Sequence, residues 1–184
     1  MRGVRFAWVA AVLAAGGPAQ AAPGALPGFG NVPFGMSLEL AKAARGIEVR
    51  DQRCDDTWCE LVYRTTVREL DVTVWQQFQN GRAIDAEVLV RGPGAEGRHL
   101  NVSRCDATYN RVYMLVTETY GPSDVPIILR NEYTPNGIVE VRETTWTFGN
   151  GARIREKRDA TNDGTCAVRL FYRPGLDRAG DARF

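Results

Sequence analysis

Four cysteines are the residues whose type and spacing point most directly to a chemistry. An even number of cysteines in a chain that leaves the reducing cytoplasm predicts two disulfides. Three pairings are possible, and the sequence alone does not choose among them. We favour Cys54–Cys59, which closes a tight loop, and Cys105–Cys166, which joins a helix start to the last strand. A metal site would need more closely spaced cysteines and histidines, and His99 is the only histidine.

Acid–base catalysis at neutral pH would centre on His99, which we place in a loop. A serine nucleophile would have to be Ser37, Ser103 or Ser123, and none of them lies in a Gly-x-Ser-x-Gly turn. We therefore predict no catalytic residue.

The acidic stretch near the end of the chain has a partial resemblance to a calcium-binding loop. Asp159, Thr161 and Asp163 would be the first ligands, with Gly164 at the sixth position. The twelfth position requires a glutamate and is Leu170. A hairpin turn explains the same residues, so we predict no metal ion and no cofactor.

Five residues are candidates for binding. Arg153, Arg155 and Lys157 alternate along a predicted strand, so their side chains would point to one face. Such a strip could bind an acidic partner or an anionic ligand, and the solvated face of a half-buried sheet would show the same pattern. Trp75 and Trp146 lie beside predicted hairpins and could line a groove or pack in the core.

The first residues have the pattern of an export signal. Arg2 and Arg5 precede an apolar run over residues 6–15, and Ala19-Gln20-Ala21 matches a signal-peptidase site. We predict a signal peptide over residues 1–21, cleavage between Ala21 and Ala22, and a periplasmic or secreted mature protein. The apolar run is too short for a membrane-spanning helix, and no later run is longer.

Charge excludes some classes of partner. The chain has 23 basic and 22 acidic residues, and without Arg2 and Arg5 it has 21 and 22. A chain so near neutrality has no broad basic surface for nucleic acid or for a membrane. The sequence does not indicate an oligomeric state.

Two helices are predicted. The first begins at Ser37 as N-cap and stops at Gly46. The second begins at Ser103, where Ser103 and Asp106 fit a capping box, and ends at Gly121-Pro122. Residues 22–33 are predicted to be a flexible lead-in and residues 174–184 a flexible tail.

The strands are predicted from hairpin signals. Asn80-Gly81, between two apolar segments, is typical of a two-residue hairpin turn. Residues 124–133 fit a helix or a buried strand equally well. Further strands are predicted at 59–67, 138–148, 154–158 and 166–172.

The two halves of the chain show similar orders of elements. Phe78, Asn80, Gly81 and Ile84 each have an identical residue 70 positions later. We predict pseudo-repeats over about 34–91 and 103–173 within one domain, 34–173. The expected fold class is α+β, an antiparallel sheet with helices packed on one face.

Short motifs carry a resemblance to known families. These are a Gly-Met-Ser-x-x-x-Ala-x-x-x-x-Gly helix at 35–46, Tyr120-Gly121-Pro122 and the Trp-x-Phe strand at 146–148. The chain resembles SmpA-type envelope proteins and tandem-repeat β-lactamase inhibitor proteins. The resemblance implies helices against an antiparallel sheet and a role in binding or assembly. The chain lacks the lipid-bearing cysteine of the SmpA type, and no functional residue is transferred.

We expect an exported, non-catalytic protein of the bacterial cell envelope that binds a protein partner or ligand through its sheet. One alternative is a small hydrolase that uses carboxylates distant in sequence, such as Asp55, Glu60 and Asp163. A second alternative is a small-ligand carrier with a groove between helix and sheet.

Overall fold

The computed structural model of the protein describes residues 26–91, 100–123, 125–135 and 137–175. Two helices, α1 and α2, and eleven strands, β1 to β11, are present in these ranges. The helices are α1 (Leu38–Lys42) and α2 (Val102–Tyr120). In chain order the strands are Gly28–Phe29, Val32–Pro33, Glu48–Cys54, Trp58–Val67, Leu70–Gln79, Arg82–Val90, Leu100–Asn101, Ile128–Thr134, Gly137–Thr147, Arg153–Thr161 and Thr165–Arg173.

One large antiparallel sheet dominates the molecule. Eight strands follow the order β3-β4-β5-β6-β11-β10-β9-β8, and β7 pairs with β11 beside this path. Only about 17 % of the described residues are helical. The prediction of an α+β class is therefore wrong, and the fold is predominantly β. The first helix is five residues long and therefore shorter than predicted. The sequence pattern also failed to predict four strands, which are β1, β2, β3 and β7.

The two halves of the chain meet at the centre of this sheet. Each half has a helix followed by a four-stranded antiparallel meander, β3 to β6 and β8 to β11. The meanders join through β6 and β11, where Val88 lies opposite Leu170. The Asn-Gly turn at 80–81 follows the third strand of its meander, whereas the one at 150–151 follows the second. Sequence duplication therefore stays a prediction, and the 70-residue spacing does not match equivalent turns.

Helix α2 packs on β10 and β11 through one apolar stripe. Its buried residues, Cys105, Tyr109, Val112 and Val116, recur every three or four positions, as one face of an α-helix requires. Its N-cap is Asn101, whose side-chain oxygen accepts a hydrogen bond from the Arg104 amide at 3.0 Å. The predicted capping box at Ser103 is wrong, because Asn101 already accepts from the first turn.

Residues near the start of the described chain belong to the core. Strands β1 and β2 form a small hairpin, and Leu26, Phe29 and Val32 are buried. The Phe29 ring lies 5.1 Å from that of Tyr172 on β11. The prediction of a flexible lead-in is therefore wrong for residues 26–33. The predicted tail, apart from Pro174 and Gly175, lies outside the described residues.

Both favoured disulfides are confirmed. Cys54 and Cys59 join β3 to β4 across a Cα separation of 4.1 Å, and Cys105 and Cys166 join α2 to β11 across 6.1 Å. Two closed bridges fit a protein of an oxidising compartment.

The remaining elements settle two further expectations. Residues 128–134 form strand β8, so the ambiguous segment 124–133 supplies a strand. Among the described residues, neither helix combines the length and apolarity that crossing a membrane requires.

Candidate functional site

The large sheet has two faces of different character. The face that carries α2, α1 and the β1–β2 hairpin, here named the core face, buries Leu61, Val74, Val88 and Leu170. The opposite side chains form the open face, on which no described helix packs. Because strand side chains alternate, the open face is formed by the odd-numbered residues of β5, β10 and β11. The open face therefore offers side chains of the sheet that no described helix covers.

An apolar strip crosses the open face. In register across the sheet, Val62 lies beside Trp75, Trp75 beside Glu87, and Glu87 beside Phe171. Trp75 and Phe171 are half-buried, and Leu89 is 4 % exposed. The Arg155 guanidinium lies 4.4 Å from the centre of the Phe171 ring, a cation–π geometry. Contiguous apolar patches on a protein surface often mark interaction sites, and this strip is a candidate for one.

A cleft of about 410 Å³ lies at one end of this strip, and we name it the Trp75 cleft. Trp75, Val62 and Leu89 line its apolar part. Four arginines, accompanied by Asp51 and Glu60, line its polar part: Arg50, Arg53, Arg64 and Arg91. Arg53 pairs with Asp51 at 3.0 Å, whereas Arg64 has no ion-pair partner among the described residues. The cleft therefore offers an aromatic surface beside an uncompensated cation.

The other end of the open face is an ion network. Lys157 lies 3.4 Å from Glu132 and 3.0 Å from Asp159, which also pairs with Arg169 at 2.9 Å. The hydrogen bond from Arg130 is the main cause that lowers the pKa of Glu132. Lys157 is thus already neutralised within the molecule, and the predicted basic strip is not a continuous positive surface.

The structure separates the five predicted binding residues. Arg153, Arg155, Lys157 and Trp75 share the open face. Trp146 lies on the core face and is 2 % exposed. Its indole nitrogen donates to the Gly121 carbonyl at 3.1 Å, so Trp146 is a core residue and lines no surface groove.

The carboxylates of the hydrolase alternative do not converge. Asp55 and Glu60 lie at the start of β4, whereas Asp163 lies in the turn after β10. Four strand spacings separate β4 from β10, which is about 19 Å. Two catalytic carboxylates of a glycosidase lie within about 10 Å of each other. Backbone hydrogen bonds from Thr57 and Trp58 also lower the pKa of Asp55, so it stays ionised and is unsuited to act as a general acid.

The residues considered for calcium binding and for acid–base catalysis were Asp163, Leu170 and His99. The side chain of Asp163 accepts hydrogen bonds from Thr165 in the β10–β11 turn, and Leu170 is buried in β11. The described residues contain no group of three potential metal ligands. His99 lies outside the described residues.

An apolar cavity of about 270 Å³ lies on the core face, between α2, the sheet and the β1–β2 hairpin. Apolar residues form most of its wall, among them Phe29, Val112, Val116, Leu170 and Tyr172. Arg68, in the turn between β4 and β5, contributes a positive charge to its lining.

The turn beside this cavity has an unusual backbone. Arg68 and Glu69 have φ of 45° and 68°, where glycine or asparagine is preferred. Each such residue costs about 1–2 kcal/mol. Their side chains pair with α2, Arg68 with Glu118 at 3.4 Å and Glu69 with Arg111 at 3.0 Å. Exposed pairs supply about 0.2–1 kcal/mol each, which is less than the strain. The connection between β4 and β5 has only two residues, and a two-residue hairpin turn favours positive φ at both positions, so the hairpin itself accounts for this backbone.

Several surface residues were missed from sequence. Val62, Arg64, Leu89 and Phe171 join Trp75 or extend its strip. The signal was available in β4, where Glu60, Val62 and Arg64 alternate with the buried Leu61 and Tyr63. Because this alternating set mixes charged and apolar residues, it did not stand out in the sequence as one face of a strand.

Comparison of the chain with models of protein families, with curated proteins and with solved structures finds no match.

Proposed function

We propose that this protein is exported to the bacterial cell envelope, where it binds another protein, without catalysis, through the Trp75 cleft. The observation that carries the proposal is the position of Trp75 beside Arg64 on the open face. Tryptophan and arginine are the residues most often found at the energetic centres of protein interfaces. Both residues are half-buried, and the accessible parts of their side chains can contact a partner.

The chemistry of the cleft indicates the character of the partner. Val62, Trp75 and Leu89 would bury an apolar or aromatic side chain, and Arg64 would pair with an acidic one. An acidic group gains most when it pairs at the border of such an apolar contact, where it is partly desolvated. The resemblance to families with a binding or assembly role supports the same proposal.

Export is supported by two features. The closed disulfides fit an oxidising compartment, and residues 1–21 have the pattern of a signal peptide. Amino-terminal sequencing of protein from fractionated cells tests this, with Ala22 as the expected first residue of a periplasmic or secreted form. A full-length, reduced protein confined to the cytosol would overturn the proposal.

The binding proposal is tested with the immobilised mature protein and envelope extract of the source cells. Captured proteins are identified by mass spectrometry, and the affinity of a purified partner is then measured. We expect Trp75→Ala to weaken that affinity about 30-fold, the effect of a hot spot of about 2 kcal/mol. Arg64→Ala should weaken it less, because Arg64 lies at the polar margin.

Thr145→Ala is the matched control, since Thr145 lies on the open face at the far end of the same row as Trp75. It should leave the affinity unchanged. Capture that is equal for wild type, Trp75→Ala and Arg64→Ala would show that the partner binds elsewhere.

The apolar cavity favours a second candidate function, the transport of a small apolar molecule. We propose for this case a ligand whose apolar body contacts Val112 and Val116 and whose acidic group pairs with Arg68.

Anilinonaphthalene sulfonate, which combines an apolar body with an acidic group, is a suitable probe of the cavity. Val116→Trp would fill the cavity and should abolish the fluorescence rise of the probe. Met114→Trp, on the exposed side of α2, is the control and should bind as wild type does. Equal binding by both variants, each folded by circular dichroism, would exclude the cavity as the site.

A further inference from the structure

The two edges of the large sheet differ in how they are protected from pairing. Strand β3 has a bulge between Val49 and Asp51. All seven of its residues are exposed, and most of them are charged. Bulges and charges are the usual protection of an edge strand. Strand β8 pairs with β9 without interruption from Ile128 to Thr134 and has neither a bulge nor a proline. The outer side of β8 is therefore regular, and no strand among the described residues pairs with it.

Apolar side chains are exposed along this open edge. Leu129 is 68 % exposed and Tyr133 is 84 % exposed, and both lie on the core face beyond the strands that α2 covers. Ile138 lies directly opposite Tyr133 on β9 and is 38 % exposed. An edge with free backbone groups and uncovered apolar side chains is a site for strand addition.

The geometry points to a second copy of this chain as the occupant: we propose that two molecules pair β8 against β8, antiparallel, around a twofold axis at Asn131. In this register Arg130 of each copy lies opposite Glu132 of the other. Leu129 of each lies opposite Tyr133 of the other. Unlike charges and aromatic–aliphatic pairs directly opposite each other are the combinations that stabilise neighbouring strands.

Other registers are less favourable. A twofold axis normal to the sheet keeps every side chain on its own face, so residues of one face pair only with each other. An axis at residue 130 would place Arg130 opposite its own copy, and an axis at 132 would do the same for Glu132. Like charges directly opposite are destabilising. Among the registers that use most of the strand, only the axis at Asn131 opposes unlike charges.

Arg130 and Glu132 already form ion pairs within one molecule. Arg130 lies 2.8 Å from Glu132 and 3.1 Å from Glu143 of β9, which keeps its guanidinium on the open face. Glu132 also contacts Lys157 at 3.4 Å. In the pair, the two arginines and two glutamates form one network across the axis. The contact uses a single seven-residue strand from each copy, so the dimer should be reversible.

Sedimentation velocity of the mature protein over a concentration series tests the proposal. Wild type should shift from monomer to dimer as concentration rises. Arg130→Glu and Glu132→Arg should each remain monomeric alone, because each leaves like charges opposite across the axis. An equimolar mixture of the two variants should dimerise again, because acid then faces base at both crossing positions.

Arg53→Glu on β3 is the control at the other edge and should dimerise as wild type does. Asn131→Cys gives a readout independent of charge, since its thiol should form a disulfide with its own copy at the axis. A wild type that stays monomeric at every concentration, or two variants that dimerise alone as wild type does, would overturn the proposal. Absence of the Asn131→Cys cross-link under oxidation would overturn the register.

Discussion

The carboxyl group of Glu156 lies in the apolar core, on the core face of β10 between Thr144 and Leu170 of the neighbouring strands. Glu156 is fully buried, and neither of its oxygens has a hydrogen-bond partner among the described residues. Burial raises its pKa to about 9, against a smaller opposite effect of Arg142. Because an ionised carboxylate is costly to bury, Glu156 is protonated and uncharged at neutral pH.

Glu156 should make the stability of the protein depend on pH. Between the unfolded pKa of 4.5 and the folded pKa of about 9, the folded state keeps a proton that the unfolded state has lost. The contribution of Glu156 to the free energy of unfolding is therefore complete below pH 4.5. Between pH 4.5 and about 9 this contribution falls by about 1.4 kcal/mol per pH unit. We expect Glu156→Gln to remove this slope in urea unfolding measured from pH 5 to pH 8.

The control for this measurement is Glu60→Gln on the open face, which should retain the wild-type slope. An identical slope in wild type and Glu156→Gln would show that Glu156 is ionised in the folded protein.

At the level of single residues, the sequence predicted which side chains share a face of a strand better than it predicted which face is buried. The alternation of Arg153, Arg155 and Lys157 correctly placed their side chains on one face of a strand. It gave no sign that Glu156 and Arg158 would be buried on the other face. A strand with charged residues on both faces shows no alternation of apolar and polar residues. Which face is buried is then decided by the elements that pack on the strand, and the local sequence does not show it.

The two disulfides constrain different pairs of elements. Cys105 and Cys166 are buried and join α2 to β11, whereas Cys54 and Cys59 join two adjacent strands at the sheet edge. By loop entropy the long bridge contributes about 4 kcal/mol and the short one about 2 kcal/mol. We expect Cys105→Ala/Cys166→Ala and Cys54→Ala/Cys59→Ala to lower the free energy of unfolding by those amounts, measured by urea titration.

The two disulfides should also differ in the rate at which a reductant cleaves them. The exposed Cys54 should react with a mild reductant first, and the buried bridge only after partial unfolding. Loss of both bridges at the same rate would contradict the separate roles assigned to them.

At the level of elements, local signals were sufficient where a strand or helix has its own signature. The Asn80-Gly81 turn and the end of α2 at Gly121 were both predicted correctly. Strand β3 was missed because it is an edge strand with seven exposed residues and hence no buried period. The Trp75 cleft was predicted only at Trp75, because its other residues come together through pairing between strands.

The whole molecule depends on its last strand. Strand β11 lies between β6 and β10 and supplies Cys166, Val168, Leu170 and Tyr172 to the core. Removing it would expose two interior strands at once and divide the sheet. We expect a chain that ends after residue 161 to show no cooperative thermal unfolding by circular dichroism.

A chain that ends after residue 175 is the matched control, because it retains every described element. It should unfold in one transition. A sigmoidal transition in the shorter chain would show that the first meander is stable alone.

The central position of β11 also has a consequence for biogenesis. A polypeptide is synthesised and translocated amino end first, so β6 emerges long before the strand that completes it. Until then the inner side of β6 is a temporary edge, prone to join a neighbouring nascent chain. The slow, non-local closure at the middle of the sheet should therefore govern the yield of native protein, and a holdase chaperone that shields β6 during that interval should raise it.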